Sequence, residues 1–142
     1  MLSETWVQWK PIPCLESKYN LKYLLNNLDT FELRLVNVSD TNDELLIIFQ
    51  HSSHLFQKTN IKFKKKTLDN LKSFYGSAFI EWNFFKVTNL KYAQELEKQS
   101  AEYFKAKDFT HYVFILNDIM LEILEINTDE GPEITRKSAK NT

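Results

Sequence analysis

The side chains that could act as acids and bases in this sequence are few and scattered. His111 lies in an apolar run, where Asp118 or Glu122 could orient it as a general base. Glu81, Glu122 and Glu125 are carboxylates in β-rich stretches and could supply the acid and base of a hydrolase. However, no serine or cysteine nucleophile stands in a recognisable motif, and charged strand residues more often face water. We therefore expect the protein not to be an enzyme.

Metal and cofactor sites have equally little support in the sequence. His51 and His54 form the one closely spaced histidine pair, but a metal ion needs three or four ligands. Cys14 is the single cysteine and has no neighbouring cysteine or histidine that would activate its thiol. Only two glycines occur, so a glycine-rich phosphate loop is absent. We expect neither a metal nor a cofactor.

The charged residues are distributed unevenly, although the net charge is only −1. Residues 61–107 contain ten lysines and five acids, whereas residues 108–142 contain seven acids and three bases. Lysines are interleaved with aromatic residues over 62–75, a pattern that can bind a nucleic-acid strand through phosphates and stacked bases. A solvated loop explains the same pattern, and the slightly acidic chain argues against nucleic acid as the main partner.

The acidic residues near the C-terminus are the first candidate for a binding surface. Carboxylates can steer and orient a basic protein partner, although a solvated face accounts for them equally well. The region Lys62–Lys66 is the second candidate. The predicted partner-binding residues are Asp118, Glu122, Glu125, Asp129 and Glu130.

The framework that positions these side chains is predicted from two hairpins. Residues 108–126 alternate around Asn117-Asp118 and predict a β-hairpin with two apolar faces. Both faces need cover, which a helix and a further sheet layer would supply. Residues 31–38 and 44–50, separated by a polar turn, predict the second hairpin.

The remaining segments give weaker patterns. A short helix is predicted before Gly76, and a main helix runs from Leu90 to about Lys105 with Asn89 as its cap. Residues 77–88 are rich in β-formers, and residues 51–66 fit an irregular strand. Residues 15–28 are compatible either with a short helix or with a strand followed by a turn.

We predict an α+β fold from these elements: one bent antiparallel sheet of about five to seven strands with one main helix, 90–105, packed on it. A chain of 142 residues fits a single domain, here residues 1–127. Residues 128–142 have little apolar content and are expected to be a disordered tail. With no signal-peptide pattern and no membrane-spanning run, we expect a cytoplasmic protein that does not bind membranes.

Scattered positions across residues 6–125 resemble a family of small bacterial proteins similar to immunity proteins of polymorphic toxin and contact-dependent inhibition systems. The positions are Gln8 to Pro13, Tyr23 to Leu35 with Phe31, Val87, Asn89, Tyr92, Ser100, His111-Tyr112, Asn117-Asp118 and Glu122-Ile123-Leu124. Residues 51–62 differ from that family's Arg- and Asp-rich turn, so no site there carries over.

The resemblance implies a function without catalysis. It implies an immunity protein that binds and neutralises a cognate toxin domain by protein–protein interaction and needs no cofactor. The alternative is a nucleic-acid or regulatory binding module that uses the basic aromatic stretch 62–75.

Overall fold

The computed structural model describes residues 4–15, 18–27, 29–50, 55–101, 103–127 and 131–137. Within them are nine strands: β1 (Thr5–Gln8), β2 (Tyr19–Asn26), β3 (Thr30–Asn37), β4 (Glu44–Gln50), β5 (Phe56–Asn60), β6 (Phe84–Thr88), β7 (Phe109–Ile115), β8 (Ile119–Ile126) and β9 (Glu133–Lys137). The helices are α1 (Lys65–Tyr75) and α2 (Lys91–Gln99), with short 3-10 turns at Ile61–Lys64, Ser77–Glu81 and Ala106–Asp108.

The strands form two antiparallel sheets. The central sheet has the order β1-β6-β7-β8-β5, and the outer sheet has the order β2-β3-β4-β9. Strict alternation on β3 and β4 buries every second residue, so the outer sheet presents one apolar face. That face packs on the central sheet, where the Phe49 ring lies 5.2 Å from the Tyr112 ring.

The opposite face of the central sheet is covered by the helices. Met120 and Leu124 of β8 share a buried cluster with Leu71 of α1 and Ala93 of α2. Trp6 of β1 contacts Phe85 edge to face in the same cluster, with ring centroids 5.5 Å apart. The molecule therefore has three layers, and the central sheet is buried on both faces.

The prediction of one bent sheet with one main helix is wrong, although the α+β class is confirmed. The two predicted hairpins belong to different sheets: β3 and β4 pair in the outer sheet, and β7 and β8 pair in the central one. Alternating side chains reveal a buried face but not which face it packs against. The proposal that both faces of β7 and β8 need cover from a helix and another sheet is confirmed.

The predicted helix 90–105 is shorter than expected. It spans Lys91–Gln99, and Ala101 then adopts a left-handed backbone with φ of 50°. Asn89 is not its cap: its own φ is 60°, and Leu90 occupies the capping position without a side-chain bond. The carboxylate of Glu4, distant in sequence, accepts the N–H of Lys91 at 2.7 Å instead.

Three other segments are settled by the structure. The helix before Gly76 is confirmed as α1, and Gly76 has the positive φ of 96° that glycine adopts most readily. Of residues 15–28, Tyr19–Asn26 form a strand, and of residues 77–88 only Phe84–Thr88 do.

Neither of the helices in the described part of the chain has the length and apolar character that a membrane span requires.

Part of the expected disordered tail is a strand. Residues 133–137 form β9, which pairs with β4 along its length, while residues 128–130 and 138–142 lie outside the described residues. Arg136 explains the docking, because Nε and Nη2 donate to the two carboxylate oxygens of buried Asp43 at 2.9 Å each. A bidentate ion pair of this kind compensates for the low apolar content of the segment.

Candidate functional site

Glu122 lies on β8 and points toward the helices. Its side chain is buried, with 3% of the residue exposed, and the Lys64 ammonium lies 3.2 Å from Oε1. Burial raises the pKa of Glu122, and the positive charge of Lys64 opposes that shift. The contact has the distance of an ion pair but not the geometry of a hydrogen bond at Oε1. Glu122 therefore anchors the start of the helical layer.

Glu125 lies three residues further along β8 and is equally buried, at 3% exposed. Its carboxylate accepts hydrogen bonds from the Tyr112 hydroxyl and the backbone N–H of Gln50. Burial raises the pKa of Glu125 to about 7, although both hydrogen bonds and the charge of Lys86 act in the opposite direction. The Tyr112 pKa is raised by burial and by Glu125. This cluster belongs to the interface between the sheets.

The predicted acidic surface is not assembled by the described residues. Strand residues three apart point to opposite faces, so Glu122 and Glu125 lie on opposite sides of the central sheet. They can form neither a shared surface nor an acid–base pair. Asp118 is exposed in the turn between β7 and β8, while Asp129 and Glu130 lie outside the described residues. Glu81 is exposed in a 3-10 turn.

His111 is held between two backbone groups. Nδ1 accepts the Leu90 N–H at 3.3 Å, so Nε2 carries the proton and donates to the Ala106 carbonyl at 2.9 Å. The residue is 6% exposed, and burial lowers its pKa. These contacts fix a neutral tautomer that positions the start of α2. They do not include Asp118 or Glu122, the predicted partners of a general base.

The candidate metal ligands and the Cys14 thiol do not form part of a recognisable site among the described residues. No group of three or more potential metal ligands is present in this part of the chain, and His51 and His54 lie outside it. Cys14 is exposed, and its carbonyl accepts from Nη1 of Arg136 at 2.9 Å.

An exposed surface on α1 and the preceding 3-10 turn is the clearest candidate for binding. Phe63 and Phe74 are 84% and 81% exposed, which is unusual for phenylalanine. We call this surface the basic aromatic face; it consists of Lys62, Phe63, Lys66 and Phe74, all exposed. The neighbouring Lys64 and Lys65 are engaged, the first by Glu122 and the second by Asp69 at 2.8 Å.

A groove of about 640 Å³ adjoins this face between α1 and β1. Trp6 and Leu71 are its buried residues, and Phe74 forms part of its rim. We call it the α1–β1 groove; it is lined by Glu4, Thr5, Trp6, Thr67, Asn70, Leu71, Phe74, Tyr75 and Lys91. The Tyr75 hydroxyl accepts the Trp6 N–H at 3.0 Å and so joins the two walls.

No family model, no curated protein and no solved structure matches this chain. The assignment of a function therefore depends on the residues and on their geometry.

Sequence reasoning identified the basic aromatic stretch but missed the groove. Trp6 and Tyr75 are 69 positions apart in the sequence, and only the fold brings them together.

The sequence did contain a signal against the predicted acidic surface. Glu122 and Glu125 are three positions apart on a predicted strand, and an odd spacing on a strand places two side chains on opposite faces.

Proposed function

We propose that this chain is a non-catalytic immunity protein that binds and neutralises a cognate toxin domain in the cytoplasm through direct protein contact. The resemblance of its scattered residues to such proteins is one support. The observation that carries the proposal is the basic aromatic face, with two phenylalanines more than four-fifths exposed. Burying a phenylalanine side chain in an interface stabilises a complex by about 1.5–3 kcal/mol.

The residues that could have done chemistry have structural explanations. His111 positions the start of α2, Glu122 pairs with Lys64, and Glu125 binds Tyr112 at the interface between the sheets. Strong pKa shifts often mark active sites, but here burial is the first cause of all three shifts. A function based on binding uses the exposed side chains instead.

The basic aromatic face replaces the acidic residues as the proposed contact surface. Lys62 and Lys66 form no ion pair among the described residues, so their charges are available to a partner. Aromatic side chains supply the apolar centre of many interfaces, and basic residues around them select an acidic partner. The toxin surface is therefore expected to be acidic with an apolar centre.

The test is a protection and binding assay with the toxin domain that a pull-down with this chain identifies. Co-expression should restore growth, and calorimetry should show a one-to-one complex. The double variant Lys66→Glu and Phe74→Ala should lose both effects, whereas Lys137→Glu, exposed on the outer sheet, should retain them. An intact complex in the double variant would exclude this face, and no complex with the unaltered chain would exclude the proposed function.

Nucleic-acid binding is the second candidate, because the same face combines lysines with exposed aromatic rings. Two lysines of the same run, Lys64 and Lys65, are already engaged, which reduces the charge left for phosphates. Binding of single-stranded RNA should be followed by fluorescence anisotropy over a range of salt concentrations. Affinity that falls steeply with salt, and falls further in Lys62→Ala and Lys66→Ala, would favour this candidate.

A further inference from the structure

The α1–β1 groove has the construction of a preformed binding pocket. Tyr75 stacks on Phe79 with ring centroids 4.3 Å apart, and Trp6 packs against Phe85. The hydrogen bond from Trp6 to Tyr75 then links the strand to the helix. Since these side chains are fixed by their neighbours, a ligand would not have to order them, and preorganisation of this kind favours affinity.

A large apolar side chain, together with the residues on either side of it, fits the dimensions and the lining of the groove. Its volume of about 640 Å³ lies within the range of about 300–1,000 Å³ that is usual for binding pockets. The buried residues Trp6 and Leu71 offer apolar contact, while Thr67 and Asn70 lie along the α1 side. Phe74, exposed at the rim, could close over a bound side chain and lose its own contact with water.

The charges around the groove define the surroundings of that side chain. Lys91 lines the groove, and Lys66 lies one helical turn before Asn70 on the same side of α1. Glu4 is the acidic residue in the lining, and its carboxylate accepts the Lys91 N–H and the Trp6 Nε1–H. Lys91 and Lys66 have no ion pair among the described residues, so two lysines and one glutamate give the groove and its surroundings on α1 a net positive charge.

We propose that the α1–β1 groove receives one large apolar side chain from an acidic segment of the toxin domain. The inference rests on the proposed function and extends it by naming the anchor and its chemistry. The charge complementarity of Lys66 and Lys91 selects acidic residues beside the anchor. The apolar floor selects an aromatic or long aliphatic side chain rather than a phosphate.

Site-specific photo-crosslinking locates the bound partner whatever its identity. A benzophenone amino acid replaces Ser73, exposed beside the rim, in cells that carry the toxin locus. The matched position is Thr135, exposed on the outer sheet. Mass spectrometry of the Ser73 product should identify an acidic toxin segment with a large apolar residue. The Thr135 derivative should yield no such product.

Variants of the identified complex then test the groove itself. Phe74→Ala and the groove-filling Thr67→Trp should each weaken binding by about 30-fold, as loss of a central anchor does. Tyr103→Ala removes an exposed aromatic side chain outside both the groove lining and the basic aromatic face and should change affinity by less than about 3-fold. If Thr67→Trp fails to fold, Lys66→Glu combined with Lys91→Glu provides the same test from the rim.

The outcomes separate the two proposals. A toxin complex that is unaffected by the Phe74 and rim variants, or that crosslinks only through Thr135, would overturn the groove and leave the immunity function in place. Both proposals would be overturned if the unaltered chain bound no toxin domain and the Ser73 and Thr135 derivatives crosslinked to none. Crosslinking of RNA from Ser73 would also overturn both and favour the nucleic-acid candidate.

Discussion

Lys64 and Glu122 join the helical layer to the central sheet through one ion pair. Lys64 lies in the 3-10 turn before α1, and its Nζ is 3.2 Å from Oε1 of the buried Glu122 carboxylate. Lys64 itself is 22% exposed at its side chain, so the pair lies under the edge of the helical layer. The same lysine run therefore has two roles: Lys64 supports the fold, and the exposed lysines are available for binding.

Replacing Lys64 with methionine should destabilise the protein at neutral pH. The change leaves a buried carboxylate without its counter-charge, a loss we expect to cost about 2–3 kcal/mol. Urea unfolding of Lys64→Met measures this cost, and Lys66→Met is the matched control with little expected effect. The cost should shrink in acid, because protonating Glu122 removes the uncompensated charge. Equal losses for the two variants would contradict the role of the ion pair.

His111 should resist protonation in the folded protein. Burial lowers its pKa below the ordinary value of 6.5, and a proton on Nδ1 would oppose the Leu90 N–H. The stability contributed by the neutral ring is complete above pH 6.5 and is lost as the pH falls through the lowered folded pKa. Proton NMR titration should show one histidine resonance that titrates below pH 6.5 and is missing in His111→Gln. A resonance of His111 that titrates above its ordinary pKa would refute this.

The stability that Glu125 contributes should depend on pH in the opposite sense to that of His111. Its folded pKa is raised from 4.5 to about 7, so its contribution to stability is complete below pH 4.5 and is lost as the pH rises through 7. Glu125→Gln keeps an acceptor for Tyr112 without the charge. Relative to the unaltered protein, this variant should therefore gain stability as the pH rises from 4.5 to about 7 and keep that gain at higher pH, as measured by urea unfolding. Glu133→Gln, exposed on β9, should show no such gain.

The hairpins and the helix α1 could be predicted from the sequence because the pattern that specifies each of them lies within its own short stretch of residues. Alternation predicted the hairpins β3–β4 and β7–β8, and helical spacing with Gly76 predicted α1. The assignment of hairpins to two sheets was not predictable in this way, since both hairpins are apolar on the faces that meet. The cap of α2 was also missed, because Glu4 supplies it from 87 positions away.

The same distinction applies to the candidate site. Exposed Phe63 and Phe74 belong to a stretch that the sequence already singled out, but their exposure is a property of the fold. The buried roles of Glu122 and Glu125 depend on Lys64 and Tyr112. Charge counting grouped the acids near the C-terminus into one binding surface, and only packing distinguishes the exposed Asp118 from the two buried glutamates.

Arg136 should hold β9 on the outer sheet. Arg136→Ala removes both bonds to Asp43 and the contact with the Cys14 carbonyl, and we expect a loss of about 2 kcal/mol. Hydrogen exchange should accelerate at residues 133–137 and at the paired residues of β4, while β7 and β8 remain protected. Lys137→Ala, exposed on the same strand, should leave exchange unchanged. Uniform acceleration across both sheets would show that Arg136 stabilises the whole fold instead.

The exposed lysines should govern the rate at which a partner associates. Charges at an interface rim accelerate encounter more than they slow dissociation, and salt screens them. In stopped-flow measurements with the toxin domain, Lys62→Glu with Lys66→Glu should lower the association rate constant by about 10-fold and flatten its dependence on salt. Dissociation should change little, whereas Phe74→Ala should act mainly on dissociation. Lys137→Glu is the control on the outer sheet. If it slowed association as strongly, overall charge rather than the basic aromatic face would be guiding the encounter.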